Sequence, residues 1–216
     1  MALEIQDRTE ILVGVFVAAL IAANLLGTKI TTILGISMSV GIFAYPITFL
    51  ITDVIEEVHG RKVAKRLIYA GLISLLLVMV LTLVSLWLPA ASRFENNDAY
   101  TLIFSSSARI ILASIVAFLL SQTHDVWSFE FWKKKTKGRH LWLRNNLSTM
   151  VSQAIDTVIF MFIAFYHVTP KFDVPFLISL IIPYWLLKVL MAALDTPFVY
   201  LGVWWLRGRK PKPAKK

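Results

Sequence analysis

Two blocks of the chain repeat one polar pattern inside apolar surroundings. Ser121-Gln122-x-x-Asp125-x-x-x-Phe129 recurs as Ser152-Gln153-x-x-Asp156-x-x-x-Phe160, 31 residues later. A glutamine and an aspartate three residues apart share one helix face. Both blocks flank a basic loop, so an antiparallel hairpin brings Gln122 and Gln153 to similar depth. Two amides and two carboxylates then line one polar cleft. The competing use of such groups is interhelical hydrogen bonding. Asp156 lies about ten residues into its apolar run, too deep for an interface. A charge at that depth costs roughly 2.5–3.5 kcal/mol on insertion scales, so it needs a partner or a ligand. Lys188, near the middle of the last apolar run, is the candidate partner, with Asp195 on a similar face seven residues on. Asp125 and Asp195 are the candidates for relaying a proton or balancing charge.

A second group of polar residues sits in Tyr45-Pro46-Ile47-Thr48-Phe49-Leu50-Ile51-Thr52-Asp53, which runs on to Glu56-Glu57 and His59-Gly60-Arg61. Pro46 predicts a kink near mid-membrane. Thr48 and Asp53 follow on the cytoplasmic half. Glu56 and Glu57 are expected to pair with Arg61 or Lys65. Asn24 and Lys29 approach the outer end of the first run, and Arg109 opens the fourth. The four histidines form neither HxxxH nor HExxH, and there is no cysteine, so no metal centre or cofactor is expected.

The elements that position these groups follow from composition. Of 216 residues, 57% are hydrophobic and 16% charged, with mean hydropathy +0.71. A soluble domain is about one quarter charged. The chain therefore reads as a single all-α integral membrane domain, residues 1–216. Six spans are expected at about 11–27, 38–56, 66–88, 109–131, 146–167 and 175–206, with a basic tail at 207–216. The acidic start, MALEIQDRTE, is a poor signal-peptide n-region, so the first run is expected to remain as a span. The stretch from Ala90 to Ser107 is expected to be a solvated outer loop. Of 22 basic residues, 17 fall at the N-terminus, after spans two and four, and in the tail. Cytoplasmic loops carry the Lys and Arg excess, so both termini are placed inside. The formal charge of +9 is read as topology signal and headgroup contact, and nucleic acid is not expected as a partner.

The string PITFLITDVIEEVHGR resembles the signature of the queuosine precursor transporter family, within the vitamin uptake transporters. Asn24-Leu25-Leu26-Gly27-Thr28-Lys29 is similar to the end of that family's first span. Trp142-Leu143-Arg144-Asn145 with Ser148, Gln153, Asp156-Thr157 and Phe160 is similar to its fifth. Lys188, Thr196-Pro197 and Tyr200 are similar to its last. Glu56 and His59 depart from the Asn and Tyr expected there. The resemblance implies uptake across the inner membrane of a 7-deazaguanine base: 7-cyano-7-deazaguanine, its aminomethyl relative, or queuine. It also implies a six-helix fold similar to the substrate-binding subunits of energy-coupling-factor transporters. The expected site draws on Asp156 or Asp53 for the guanine edge, supported by Gln122, Gln153 and Asn24. Tyr45, Phe49 or Phe160 would stack, with Thr48 nearby, and Lys188 and Arg109 would meet the carbonyl or balance charge. A stand-alone carrier, a homodimer, and a binding subunit served by a separate ATPase remain open. The chain has no Walker motif of its own. An intramembrane aspartyl dyad is the enzymatic rival.

Overall fold

A computed structural model describes residues 4–33, 35–136, 141–194 and 196–207. Helix α1, Ile5–Leu26, opens on a capping box in which the Glu4 N–H donates to Asp7 Oδ2 at 2.9 Å. At 22 residues it is about 33 Å long, enough to cross a bilayer. A small antiparallel hairpin follows, β1 at Ile30–Ile33 and β2 at Ile36–Ser39, paired from Ile30↔Ser39 to Ile33↔Ile36. Gly35 has φ +79°, which suits glycine in the tight turn. A 3-10 turn, Val40–Phe43, then leads into α2, Tyr45–His59.

This corrects the expected second span. Residues 38–44 are not helical in the α sense, and α2 begins at Tyr45. Pro46 lies in its first turn and does not kink a helix interior. The first turn tolerates proline because its N–H has no intrahelical partner there. The 3-10 turn is pinned to α1: a Cβ on Gly41 would stand 2.5 Å from the Ala23 carbonyl oxygen. The Ser39 hydroxyl donates to Gly27 O at 2.8 Å.

Helix α3 is Arg61–Trp87 and α4 is Asn97–Lys135. The expected outer loop is therefore short, because α4 starts at Asn97 and carries Tyr100 to Ser107 as helix. Tyr100 closes the α3–α4 hairpin, its hydroxyl donating to Ser85 Oγ at 2.9 Å. Helix α5 is Leu141–Phe165, α6 is Val174–Leu194 and α7 is Thr196–Arg207. Pro183 is inside α6, and the expected last span, about 175–206, is covered by α6 and α7, with residue 195 outside the described residues. Ile5–Leu26, Lys62–Trp87 and Asn97–Ser121 are long and apolar enough to cross a membrane; Met150–Phe165 and Val174–Leu190 are shorter apolar stretches.

Two apolar clusters hold the bundle. One joins Ile110, Ala113 and Ala117 of α4 to Phe160, Met161 and Ala164 of α5 and Leu177 and Leu180 of α6, with Ile42 inserted. The other joins Phe16 to Ile51, Val54 and Ile55 of α2, Leu67 of α3 and Leu206 of α7. Outward faces are apolar as well: Ile73 is 68% exposed and Trp87 83%. That is the pattern of a chain whose solvent is lipid.

Candidate functional site

The two clusters leave a cavity of about 270 Å³ between α1 and α6, with a wall from each of the six helices. Phe16 and Leu20 of α1 and Ile68, Leu72 and Leu75 of α3 form an apolar side. Tyr45, Thr48, Phe49 and Thr52 of α2 face Ser114, Phe118 and Ser121 of α4. Gln153, Asp156 and Phe160 of α5 and Lys188 of α6 complete it. The Thr48 and Thr52 hydroxyls each donate back to their own helix, to Tyr45 O at 2.7 Å and Thr48 O at 2.8 Å. A second cavity, about 530 Å³, lies between β2 and α6 and is almost wholly apolar, lined by Met38, Ile42, Pro183 and Leu187 among others.

The charged centre is the Asp156–Lys188 pair, with Lys188 Nζ 2.8 Å from Asp156 Oδ2. This is the partnership expected from the sequence. The lysine side chain is 7% exposed and the aspartate 23%, and both line the cavity. The ammonium also lies over two aromatic faces, 5.4 Å from the Tyr45 ring centre and 5.7 Å from that of Tyr184. Both are within cation–π range. Tyr45 stacks on Phe49 at 6.1 Å and meets Tyr184 edge-on at 6.3 Å. Asp156 Oδ1 has a weak partner, the Ser121 hydroxyl at 3.5 Å, and so keeps acceptor capacity. A carboxylate with one well-used and one little-used oxygen, a lysine with spare donors, and flat aromatic walls suit a planar ligand with adjacent donors and an acceptor.

The hairpin of α4 and α5 forms as the repeated blocks require. Ser121 of the first block reaches Asp156 of the second, and His124 Nδ1 lies 3.1 Å from Ser152 Oγ. The structure brings Tyr45, Thr48, Phe49, Gln153, Asp156, Phe160 and Lys188 to one cavity. Three further candidates sit elsewhere. Asn24 is buried between helices, its amide donating to Leu20 O at 2.8 Å and its oxygen accepting from Ser114 at 2.6 Å. Arg109 donates to Ile163 O and Tyr166 O, both at 2.6 Å, and so caps the end of α5. Asp53 is on the exposed side of α2 and does not line the cavity. The side chains of Gln122 and Asp125, and residue Asp195, lie outside the described residues. Glu57 pairs with Arg207 of α7 at 3.6 Å, between two well-exposed side chains; the side chain of Arg61, one of the expected partners of Glu56 and Glu57, lies outside the described residues. Ser114, Ser121 and Phe118 were not foreseen as wall residues. Their only signal is small or aromatic character at helical spacing from one another.

Apolar helices packed around a small cavity that holds the Asp156–Lys188 pair are the build of a membrane protein. The chain matches the family described as "Putative vitamin uptake transporter" over residues 39–202, and it belongs to that family. It is a transporter, not an enzyme. It is 34% identical over 184 residues to a "Probable queuosine precursor transporter" of Bacillus subtilis (strain 168), covering 84% of this chain and 79% of the relative. It is 31% identical to the "Queuosine precursor transporter" of Escherichia coli (strain K12), over 68% of this chain and 63% of the relative. A third relative, from Haemophilus influenzae (strain ATCC 51907 / DSM 11121 / KW20 / Rd), is named "Probable queuosine precursor transporter" and is 26% identical over 61% of this chain and 54% of its own length. No solved structure matches the chain.

Proposed function

We propose that the protein imports a queuosine precursor, a 7-deazaguanine base, across the inner (plasma) membrane. The observation that carries this reading is the Asp156–Lys188 pair set among aromatic rings in a cavity of about 270 Å³. A guanine edge offers two adjacent N–H donors beside one carbonyl. Asp156 can accept both donors, and Lys188, which only donates, meets the carbonyl. Tyr45, Phe49 and Phe160 supply the faces for the ring, and the Gln153 amide supports the remaining edge. The cavity is at the small end of the roughly 300–1,000 Å³ usual for ligand pockets, which suits a bare base better than a nucleoside. The names of the relatives agree with this class of substrate.

The same reading places six spans in the bilayer, with α6 and α7 together forming the last and both termini inside. The basic groups in the first turns of α3 and those around the connection from α4 to α5 support it. The test is uptake of labelled 7-cyano-7-deazaguanine into cells that cannot synthesise it, read as queuosine in transfer RNA. Restoration by this chain alone supports a stand-alone carrier. Failure with this base and with queuine, with the protein present in the membrane, sinks the reading or shows that an ATPase partner is needed. Deazahypoxanthine, which lacks the 2-amino group, should compete at least about 100-fold less well than deazaguanine, because it leaves a carboxylate oxygen unpaired.

A further inference from the structure

The empty site already contains a cation bound where the substrate would bind. Lys188 holds Asp156 Oδ2 at 2.8 Å while its ammonium is bracketed by the Tyr45 and Tyr184 rings. Tyr184 is 3% exposed, and among the described residues its hydroxyl is the one fully buried side-chain polar atom with no hydrogen-bond partner. A buried orphan hydroxyl is costly unless some state of the protein satisfies it. An ammonium displaced from Asp156 has that hydroxyl's residue already beside it.

We propose that Lys188 is the resident counter-cation of the carrier: it neutralises Asp156 before loading, yields the carboxylate to the N–H edge of the base on loading, and turns one N–H to the Tyr184 hydroxyl while another meets the base carbonyl. This rests on the reading of Asp156 as the residue that takes the base. A carboxylate inside the bundle cannot cross between states unpaired. Carriers that lack an internal cation meet that need with a proton or a metal ion from solution. Here the cation is part of the chain, and while Lys188 keeps its proton in exchange between Asp156 and Tyr184 nothing is taken up from solution, so no ion gradient drives the cycle. Transport then runs down the gradient of the base itself. Among the described residues the titratable groups facing Asp156 fit this, with the Asp125 side chain and Asp195 outside them: Lys188 and Tyr184 come from α6 and Tyr45 from α2, while the walls from α1 and α3 are apolar. From α4, Ser121 is neutral, and His124 contacts Ser152, one turn away from the carboxylate on α5.

The test uses the purified protein in liposomes with labelled 7-cyano-7-deazaguanine and imposed inward gradients of protons or sodium. The expected result is entry until inside and outside concentrations match, unchanged by either gradient. Accumulation several-fold above the outside concentration, driven by either gradient, overturns the counter-cation while leaving base transport standing. Absence of uptake together with absence of base binding by the wild-type protein overturns the base reading and this inference with it; binding without uptake overturns this inference alone. A second measurement isolates Tyr184. Tyr184→Phe should weaken base binding about tenfold with Lys188 present, and leave binding unchanged in the Lys188→Met background. Equal losses in the two backgrounds mean that Tyr184 acts on packing alone and overturn its part in the exchange.

Discussion

Asp156 and Lys188 show why a buried ion pair is best judged by what its removal exposes. The gain from pairing is largely offset by desolvation, but deleting one partner leaves a lone charge inside the bundle. Either Asp156→Asn or Lys188→Met should therefore lower stability by about 3 kcal/mol, less whatever the 23% exposure of the aspartate returns to solvent. The double variant should be more stable than the worse of the two singles. Thermal unfolding in detergent checks this, and strictly additive losses would argue against a coupled pair. Asp156→Asn should also abolish uptake, whereas Ser121→Ala, which removes only a contact at 3.5 Å, should leave it within about threefold of wild type. The pair was legible in the sequence because an aspartate and a lysine deep in apolar runs have few affordable partners. The roles of Asn24 and Arg109 were not, because polar residues that bind a solute and those that join helices look alike until rotation is known.

Among the elements, α5 has its C-terminal end secured from α4. The Arg109 guanidinium reaches across to the carbonyl of Ile163 in its last turn and to that of Tyr166 just past it. Arg109→Met should therefore destabilise the protein by about 2–3 kcal/mol while leaving the KM for uptake unchanged. A raised KM with unaltered unfolding would return Arg109 to the substrate site. The β-hairpin was the element hidden from sequence. Its residues are as apolar as the span that follows, so Met38 reads equally well as strand or as helix start. Contact decides between them: Ile30 and Met38 pack against the cluster of α4, α5 and α6, and Gly41 lets the backbone approach α1.

For the whole molecule, the proposed orientation is open to direct measurement, since the chain has no cysteine to confuse labelling. Glu95→Cys, in the turn before α4, should react with a membrane-impermeant maleimide in intact cells. Lys62→Cys, at the start of α3, should react only after permeabilisation. Labelling of both from outside would overturn the arrangement with both termini in the cytoplasm. The two apolar clusters explain how α1 to α6 close around the cavity of about 270 Å³: each cluster joins a different set of helices, and the charged pair lines the space left between them.

The membrane character, the apolar runs and the pairing of Asp156 with Lys188 were determined by the amino-acid sequence alone. Partition into lipid depends on local composition, and a deep charge has few ways to be satisfied. Tertiary packing decided which polar residues face the cavity, where α2 begins, and that Tyr184 stands beside the ammonium with its hydroxyl unpartnered. In lipid, helix rotation and close approach are set by side-chain fit between neighbouring helices, and that fit exists only once the bundle has assembled.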